Sequence, residues 1–379
     1  MKLTGPKFDQ NEILLLKQCL DSGWVTQGPM TVEFERLFKE RHQVSHALAT
    51  TSCTAALHLA AMALGIGPGD EVVVPAFTWI TSAHCAEYVG AKAVFADVES
   101  ETFNLDPKAM ESALTPNTKA VVVVHLFGLA ARMLEIIDIA ERHNISIIED
   151  AACAVGSTYD EKPVGGFGEI GCFSFHPRKV ITTGEGGMVT TTRTDLAQKV
   201  SILRNHGATG NLRPSGQPAK PYHMAPFDML GYNLRLSDIQ AAVGVAQMQK
   251  LDSLLEERRR LAERYHELLR NVEEIAIPRP VDTRCGHTYQ SYVIRILKGG
   301  MAGRNEVMDS LYSLNIQTRP GTHAVHRLGY YVQKYKIRPD QFPIAAECED
   351  TTITLPLFPG MTDEEQLFVV ESLKRALTS

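Results

Sequence analysis

The chain has 379 residues, 44% hydrophobic and 22% charged, so it can bury a sizeable core and is neither disordered nor repetitive. Thirty-eight Lys and Arg against 44 Asp and Glu leave a formal net charge of -6, which argues against a general nucleic-acid or anionic-membrane binder while leaving a locally basic pocket open. No apolar run reaches the roughly 20 residues of a membrane span, and Met1–Pro6 lacks a hydrophobic signal core, so the expected location is the cytoplasm.

In chain order, short apolar runs alternate with helical stretches, the pattern of a parallel sheet covered by helices on both faces. The predicted strands are Ser45–Thr50, Glu71–Ala76, Ala93–Val98, Ala120–His125, Ile145–Asp150, Gly171–His176 and Gly187–Thr191. Several are rich in Val and Ile without polar alternation, as strands buried on both faces are. Helices are predicted over Ala55–Leu64, Met133–His143 and Thr194–Leu203. From Arg204 to Asn233 the chain is rich in Gly, Pro, His and Asn and has no periodicity. A loop of that length inside a compact domain is functional or meets a partner. One long helix is expected from Ser237 to about Asn271, with its charged run Glu256–Arg260 as a solvated face. A smaller α+β unit follows, with strands Ser291–Leu297 and Thr352–Leu355 and helices Arg304–Leu314 and Asp363–Leu377. The length alone allows two or three domains; this pattern predicts two, a large one over 1–250 and a small one over 251–379. The seven cysteines are scattered without a CxxC pair, so neither a disulfide scaffold nor a metal site is expected.

Four features could carry chemistry, and each admits a plainer reading. Thr51-Ser52-Cys53-Thr54 stands between a strand and a helix, where hydroxyls, free amides and the helix dipole make either a phosphate site or an ordinary helix cap. Asp150 ends a buried strand, at the edge where ligands bind in doubly wound sheets, or serves as a cap. Lys179 follows Phe173-Ser174-Phe175-His176-Pro177-Arg178 and precedes Gly184-Glu185-Gly186-Gly187. A lysine held in a partly desolvated pocket can become a carbonyl-attacking nucleophile, although most are simply solvated. The glycines also suit a structural hairpin. Finally, Gly231-Tyr232-Asn233-Leu234-Arg235-Leu236-Ser237 offers Asn and Arg to an anion, or caps the helix that follows.

Together these describe a pyridoxal phosphate site: a phosphate cup, an acid for the ring nitrogen and a lysine for the aldehyde. The string from Cys172 through Gly187, and the run from Ser22-Gly23-Trp24-Val25-Thr26-Gln27-Gly28-Pro29 to Leu355-Pro356-Leu357, resemble the DegT/StrS family of nucleotide-sugar aminotransferases. The resemblance implies the α/β architecture of fold type I pyridoxal phosphate transferases: a mixed, mostly parallel sheet flanked by helices, with a smaller carboxyl-terminal α+β domain. It makes Lys179 the lysine that bonds the cofactor and Asp150 the partner of the pyridinium nitrogen. Ser174 and the Cys53-Thr54 region would hold the phosphate, and Trp79 would stack on the ring. Asn233 would reach the neighbouring subunit's cofactor, which implies a homodimer with shared sites. Two positions depart from the commoner wording. Cys153 replaces a glutamine near the ring, a thiol being the weaker donor, and Cys53 replaces a glycine in the cup.

The implied reaction moves an amino group from L-glutamate to a nucleotide-linked keto sugar, with a 4-keto-6-deoxyhexose favoured by Lys179-Val180-Ile181-Thr182-Thr183-Gly184-Glu185-Gly186-Gly187. Trp24, Thr26, Arg235, Arg319 and His323 are the candidates for the sugar or its diphosphate. Competing readings are an aminocyclitol aminotransferase, a sugar 3-dehydratase and a non-catalytic regulatory relative. Dehydratase relatives carry histidine in place of the lysine, and a regulatory relative would be expected to lose Lys179 or Asp150.

Overall fold

The computed structural model describes residues 1–209, 222, 224–279 and 282–378. Part of the Arg204–Asn233 stretch thus lies outside the described residues. The large sheet has seven strands: β1 (His46–Thr50), β2 (Glu71–Pro75), β3 (Lys92–Ala96), β4 (Thr118–Val124), β5 (Ser146–Asp150), β6 (Ile170–Ser174) and β7 (Gly187–Thr191). Their spatial order is β1-β7-β6-β5-β4-β2-β3. Every neighbouring pair is parallel except those made by β7, which runs against both β1 and β6. The expected strands are all found, with no end shifted by more than two residues and Gly187–Thr191 unchanged.

Both faces of this sheet are apolar because its strands carry hydrophobic residues at odd and even positions alike. Val72 and Val74 of β2 join one core with the helices Cys53–Ala63 and Thr81–Tyr88, whereas Val73 joins the opposite core with Met133–His143. The same parity sorts the acids at the end of β5. Ile148 belongs to the first core and Ile147 to the second. Alternation therefore sends Asp150 to the first face and Glu149 to the second.

The single long helix expected over 237–271 is two, Asp238–Gln249 and Leu251–Leu269. The chain leaves helical geometry at Lys250, with φ -110° and ψ 8°. Its ammonium meets Asp9 Oδ2 at 2.7 Å and Glu12 Oε1 at 2.6 Å, at the start of the helix Gln10–Ser22. The second of the two helices spans two cores. Its Leu251, Leu254 and Leu255 pack on the large sheet, and its Leu261, Ala262, Tyr265 and Leu269 enter a third core. That core is built on a three-stranded sheet, Ile275–Ala276, Tyr292–Ile296 and Thr352–Leu355, with the helices Gly300–Ser313 and Asp363–Thr378. A strand pair ties the carboxyl-terminal part back to the large sheet's region: His323 and Ala324 lie opposite Thr78 and Phe77. No helix among the described residues is long and apolar enough to cross a membrane.

Candidate active site

A cavity of about 390 Å³ opens where the carboxyl ends of β4, β5 and β6 meet the carboxyl-terminal part of the chain. That volume falls within the range of small-molecule sites, about 300–1,000 Å³. Val124, Asp150 and Ser174, the last residues of those strands, all line it.

One wall is the start of the helix Cys53–Ala63. Ser52 caps it, its hydroxyl accepting from the Ala55 amide at 3.1 Å. The amides of Cys53 and Thr54, both lining the cavity, remain as donors at the positive end of the helix dipole. The cup is set from below by β7. A Cβ on Gly187 would lie 2.4–2.6 Å from the Ser52 carbonyl group and the Cys53 nitrogen, so only glycine lets β7 pass this close. Gly187 is also in register with Ser174 and with Thr50, which brings Ser174 beside the cup. Burial pushes the Cys53 thiol well above its usual range, with Asp150 adding to the shift, so this side chain is neutral.

Asp150 is 4% exposed and held on both oxygens. The Ser82 hydroxyl donates to Oδ2 at 2.7 Å and the Ala152 amide to Oδ1 at 3.1 Å. Thr78 Oγ1 lies 3.0 Å from Ser82 Oγ and extends the chain of hydroxyls. On the other face Glu149 is fully buried. It accepts from the amides of Gly165, Phe167 and Gly168 at 2.7–2.8 Å. His125 Nδ1 accepts from the Ala131 amide at 3.1 Å, so its Nε2 donates to Glu149 Oε2 at 3.0 Å. Burial works to raise the Glu149 carboxyl, but His125 and these amides outweigh it and hold the group below the ordinary carboxylate range. This network anchors the strand end that carries Asp150.

Lys179 enters from the turn after β6, where its amide donates to the His176 carbonyl at 2.8 Å. Its Nζ donates to Cys153 Sγ at 3.0 Å. Burial works to lower this ammonium, yet Cys153, then Cys53 and Asp150, lift it above the ordinary lysine range. Trp79 lines the cavity with half its surface open, its ring centroid 5.7 Å from that of His323.

Of the residues singled out in the sequence, Cys53, Thr54, Trp79, Asp150, Cys153, Ser174, Lys179 and Arg319 line this one cavity. His323 stands behind Trp79. Trp24, Thr26, Asn233 and Arg235 do not line it. Trp24 Nε1 donates to the Gln27 carbonyl, Thr26 accepts from the Asp238 amide, Arg235 donates to Asn205 Oδ1, and Asn233 bridges to Asn205. Ser82, Arg178 and Gln290 escaped the sequence reading. Arg178 neighbours Lys179, which was a usable signal. Ser82 and Gln290 act across 68 and 112 residues of chain, and nothing local marks them.

The cavity fits pyridoxal phosphate: an amide-lined cup for the phosphate, an aromatic wall, a clamped carboxylate and an amine facing the same space. Such a site suits moving an amino group through a carbonyl cofactor, and the class is that of the α/β aminotransferases. The chain belongs to the DegT/DnrJ/EryC1/StrS aminotransferase family, whose profile matches residues 6–374. It is 38% identical to a GDP-perosamine synthase of Caulobacter vibrioides over 100% of this chain and 98% of that protein. It is 35% identical to a GDP-perosamine synthase of Escherichia coli O157:H7, over 97% of this chain and 96% of the relative. The fold matches a putative sugar aminotransferase from Streptococcus pneumoniae, solved in its PMP form. The TM-score is 0.94 at 28% identity, covering 100% of this chain and 99% of that one.

Proposed function

We propose that this sugar aminotransferase uses pyridoxal 5'-phosphate to move the amino group of L-glutamate to a nucleotide-linked 4-keto-6-deoxyhexose, giving the 4-amino sugar. The observation that carries the reading is the convergence of Lys179, Asp150 and the Ser52–Thr54 helix start on one cavity. Two relatives named as GDP-perosamine synthases favour guanosine diphosphate as the carrier. A relative of the fold solved in PLP and PMP forms supports the cofactor.

The cofactor, when bound, supplies an aldehyde that takes up the amino group and a ring that accepts the electrons left as a C–H bond breaks. In this reading Ser174 and the amides of Cys53 and Thr54 bind its phosphate, and Trp79 covers one ring face. Asp150, held in place by the Ser82 hydroxyl and the Ala152 amide, keeps a proton on the ring nitrogen. Lys179 Nζ anchors the resting cofactor. Once released, the same amine takes the proton from the donor's α-carbon and, in the second half of the cycle, returns one to the sugar carbon. Cys153, at 3.0 Å, keeps that amine aimed into the cavity.

Trp24, Thr26, Asn233 and Arg235 have a place in the same reading if two copies share their sites. Exposed apolar side chains gather on the segments around them: Ile13, Leu14 and Leu20, then Val25 and Val32, then Phe227, Met229 and Leu230. Asp238 binds the amides of Gly28, Met30 and Thr31 and so joins the second of these segments to the start of the helix after Arg235. Exposed apolar side chains on these segments suit an interaction face. A homodimer formed there would offer Asn233 to the other subunit's phosphate cup. Seven free thiols suit a reducing compartment such as the cytoplasm.

Borohydride treatment of the loaded protein, followed by peptide mass analysis, tests the site. The cofactor should be fixed on Lys179 and be lost in Lys179→Ala; fixation elsewhere refutes the assignment.

A further inference from the structure

The amine of Lys179 has to reach a donor carbon and then the sugar carbon, so whatever fixes the turn that carries it bears on the reaction. Inside the turn the Lys179 amide donates to the His176 carbonyl at 2.8 Å and the Arg178 amide to His176 Nδ1 at 3.2 Å. Among the described residues, a single hydrogen bond to the main chain of residues 176–179 comes from a distant part of the chain. Gln290 Nε2 donates to the Arg178 carbonyl, in the peptide group that leads into Lys179, at 2.7 Å. Gln290 is 7% exposed and lines the active cavity, and its Oε1 accepts from the Ser291 hydroxyl at 3.2 Å.

Gln290 is itself held in a strained segment. Tyr289, just before it, has a left-handed backbone with φ 48°, which a residue with a side chain keeps only where its surroundings impose it. They do so from both sides. The amide and hydroxyl of Thr288 donate to the Gly128 carbonyl at 2.9 and 3.3 Å, which fastens the segment to the large unit. From the helix Leu251–Leu269 comes Arg258, 1% exposed, whose Nη1 donates to the carbonyls of Tyr289 and Gln290 at 3.3 and 3.2 Å. Its Nε and Nη2 are buried with no hydrogen-bond partner among the described residues. A buried guanidinium left half unpaired is a worse filler than an apolar side chain of similar size, so packing does not account for Arg258. Its grip on these two carbonyls does.

We infer that Gln290 is a positioning residue for Lys179 and that Arg258 acts through it, by holding the Gln290 main chain while the Gln290 side chain holds the lysine's turn. The carboxyl-terminal part of the chain thereby sets where the amine stands. The inference rests on the reading of Lys179 as the reacting amine and adds the residues that aim it. A misplacement of about 1 Å at such a group costs about a hundredfold in rate.

Two rates test it, and neither needs a sugar acceptor. Capture of pyridoxal phosphate by cofactor-free protein reads the reach of the amine, and deuterium exchange at the glutamate α-carbon in loaded protein reads its proton transfer. Gln290→Met and Gln290→Glu keep the length of the side chain and lose the donor. Each should slow both rates by about tenfold or more while the KM for glutamate stays within about twofold of wild type. Arg258→Met should slow both rates in the wild-type background and add nothing in Gln290→Met, because it acts only through Gln290. Arg258→Lys, which still carries a donor, should recover part of the loss. Wild-type rates in both Gln290 variants would overturn the inference. So would a raised KM with unchanged turnover, which makes Gln290 a substrate contact, and additive slowing in the double variant or failure of all these variants to fold, either of which assigns the pair to packing. Absence of borohydride-fixed cofactor on Lys179 in the wild-type protein would instead remove the reading on which the inference rests.

Discussion

Lys179 Nζ donates to Cys153 Sγ at 3.0 Å, across 26 residues of chain, and this contact sets the state of the amine before any ligand arrives. Cys153 is the largest influence lifting Lys179 against the effect of burial. A lysine raised above its ordinary value stays charged until the pH climbs through that value, and only the neutral amine attacks a carbonyl. Replacing Cys153 by alanine leaves burial less opposed, so the Lys179 value falls. The rate at which cofactor-free protein captures pyridoxal phosphate should then reach half its maximum at a lower pH in Cys153→Ala than in the wild type. Superimposable profiles would show that the thiol does not tune the amine.

The close approach of β7 to the cup makes Gly187→Ala a test of the phosphate site. The added methyl meets main-chain atoms of Ser52 and Cys53, which cannot rotate away. Overpacking of this kind costs about 1–3 kcal/mol, so cofactor affinity should drop by about tenfold or more in a fluorescence titration. Unchanged affinity would place the phosphate elsewhere.

Glu149 supports Asp150 from the opposite face. Its carboxyl is held below the ordinary 4.5, so its contribution to stability is complete above that pH and is lost as the pH falls through the lower folded value. Glu149→Gln should cost about 1–3 kcal/mol at neutral pH in urea unfolding, because His125 Nε2 and the three buried amides that face it lose their charged acceptor. The difference from wild type should shrink in acid. A constant difference at all pH values would assign the loss to packing rather than charge.

Much of this was legible in the sequence, and for physical reasons. Strands buried on both faces leave uninterrupted runs such as Val121–Val124, and Lys179 is marked by the specific string around it. The break at Lys250 was not legible, because Gln247 through Leu251 is locally helical in composition and the partners of Lys250 at the break, Asp9 and Glu12, are distant in sequence. Ser82 lacked any local sign because its partner is brought to it only by the sheet. Arg319 was found as a type of residue suited to phosphate; that it lines one cavity with Arg178 needed the fold.

Asn233 carries the claim of shared sites, and a mixing experiment decides it. Lys179→Ala and Asn233→Ala should each be impaired alone. If Asn233 serves the opposite subunit, a mixed dimer regains one intact site, and an equal mixture should recover about a quarter of wild-type activity. If Asn233 served its own subunit, mixing would restore nothing.

The most direct test of the whole account follows nitrogen. The loaded protein is incubated with GDP-linked 4-keto-6-deoxymannose and L-glutamate carrying a heavy amino nitrogen, and the sugar nucleotide is weighed by mass spectrometry. The account predicts a GDP-linked 4-amino sugar that contains the heavy nitrogen, formed by the wild-type protein and not by Lys179→Ala. Absence of amination of this compound and of its UDP- and dTDP-linked counterparts would contradict it.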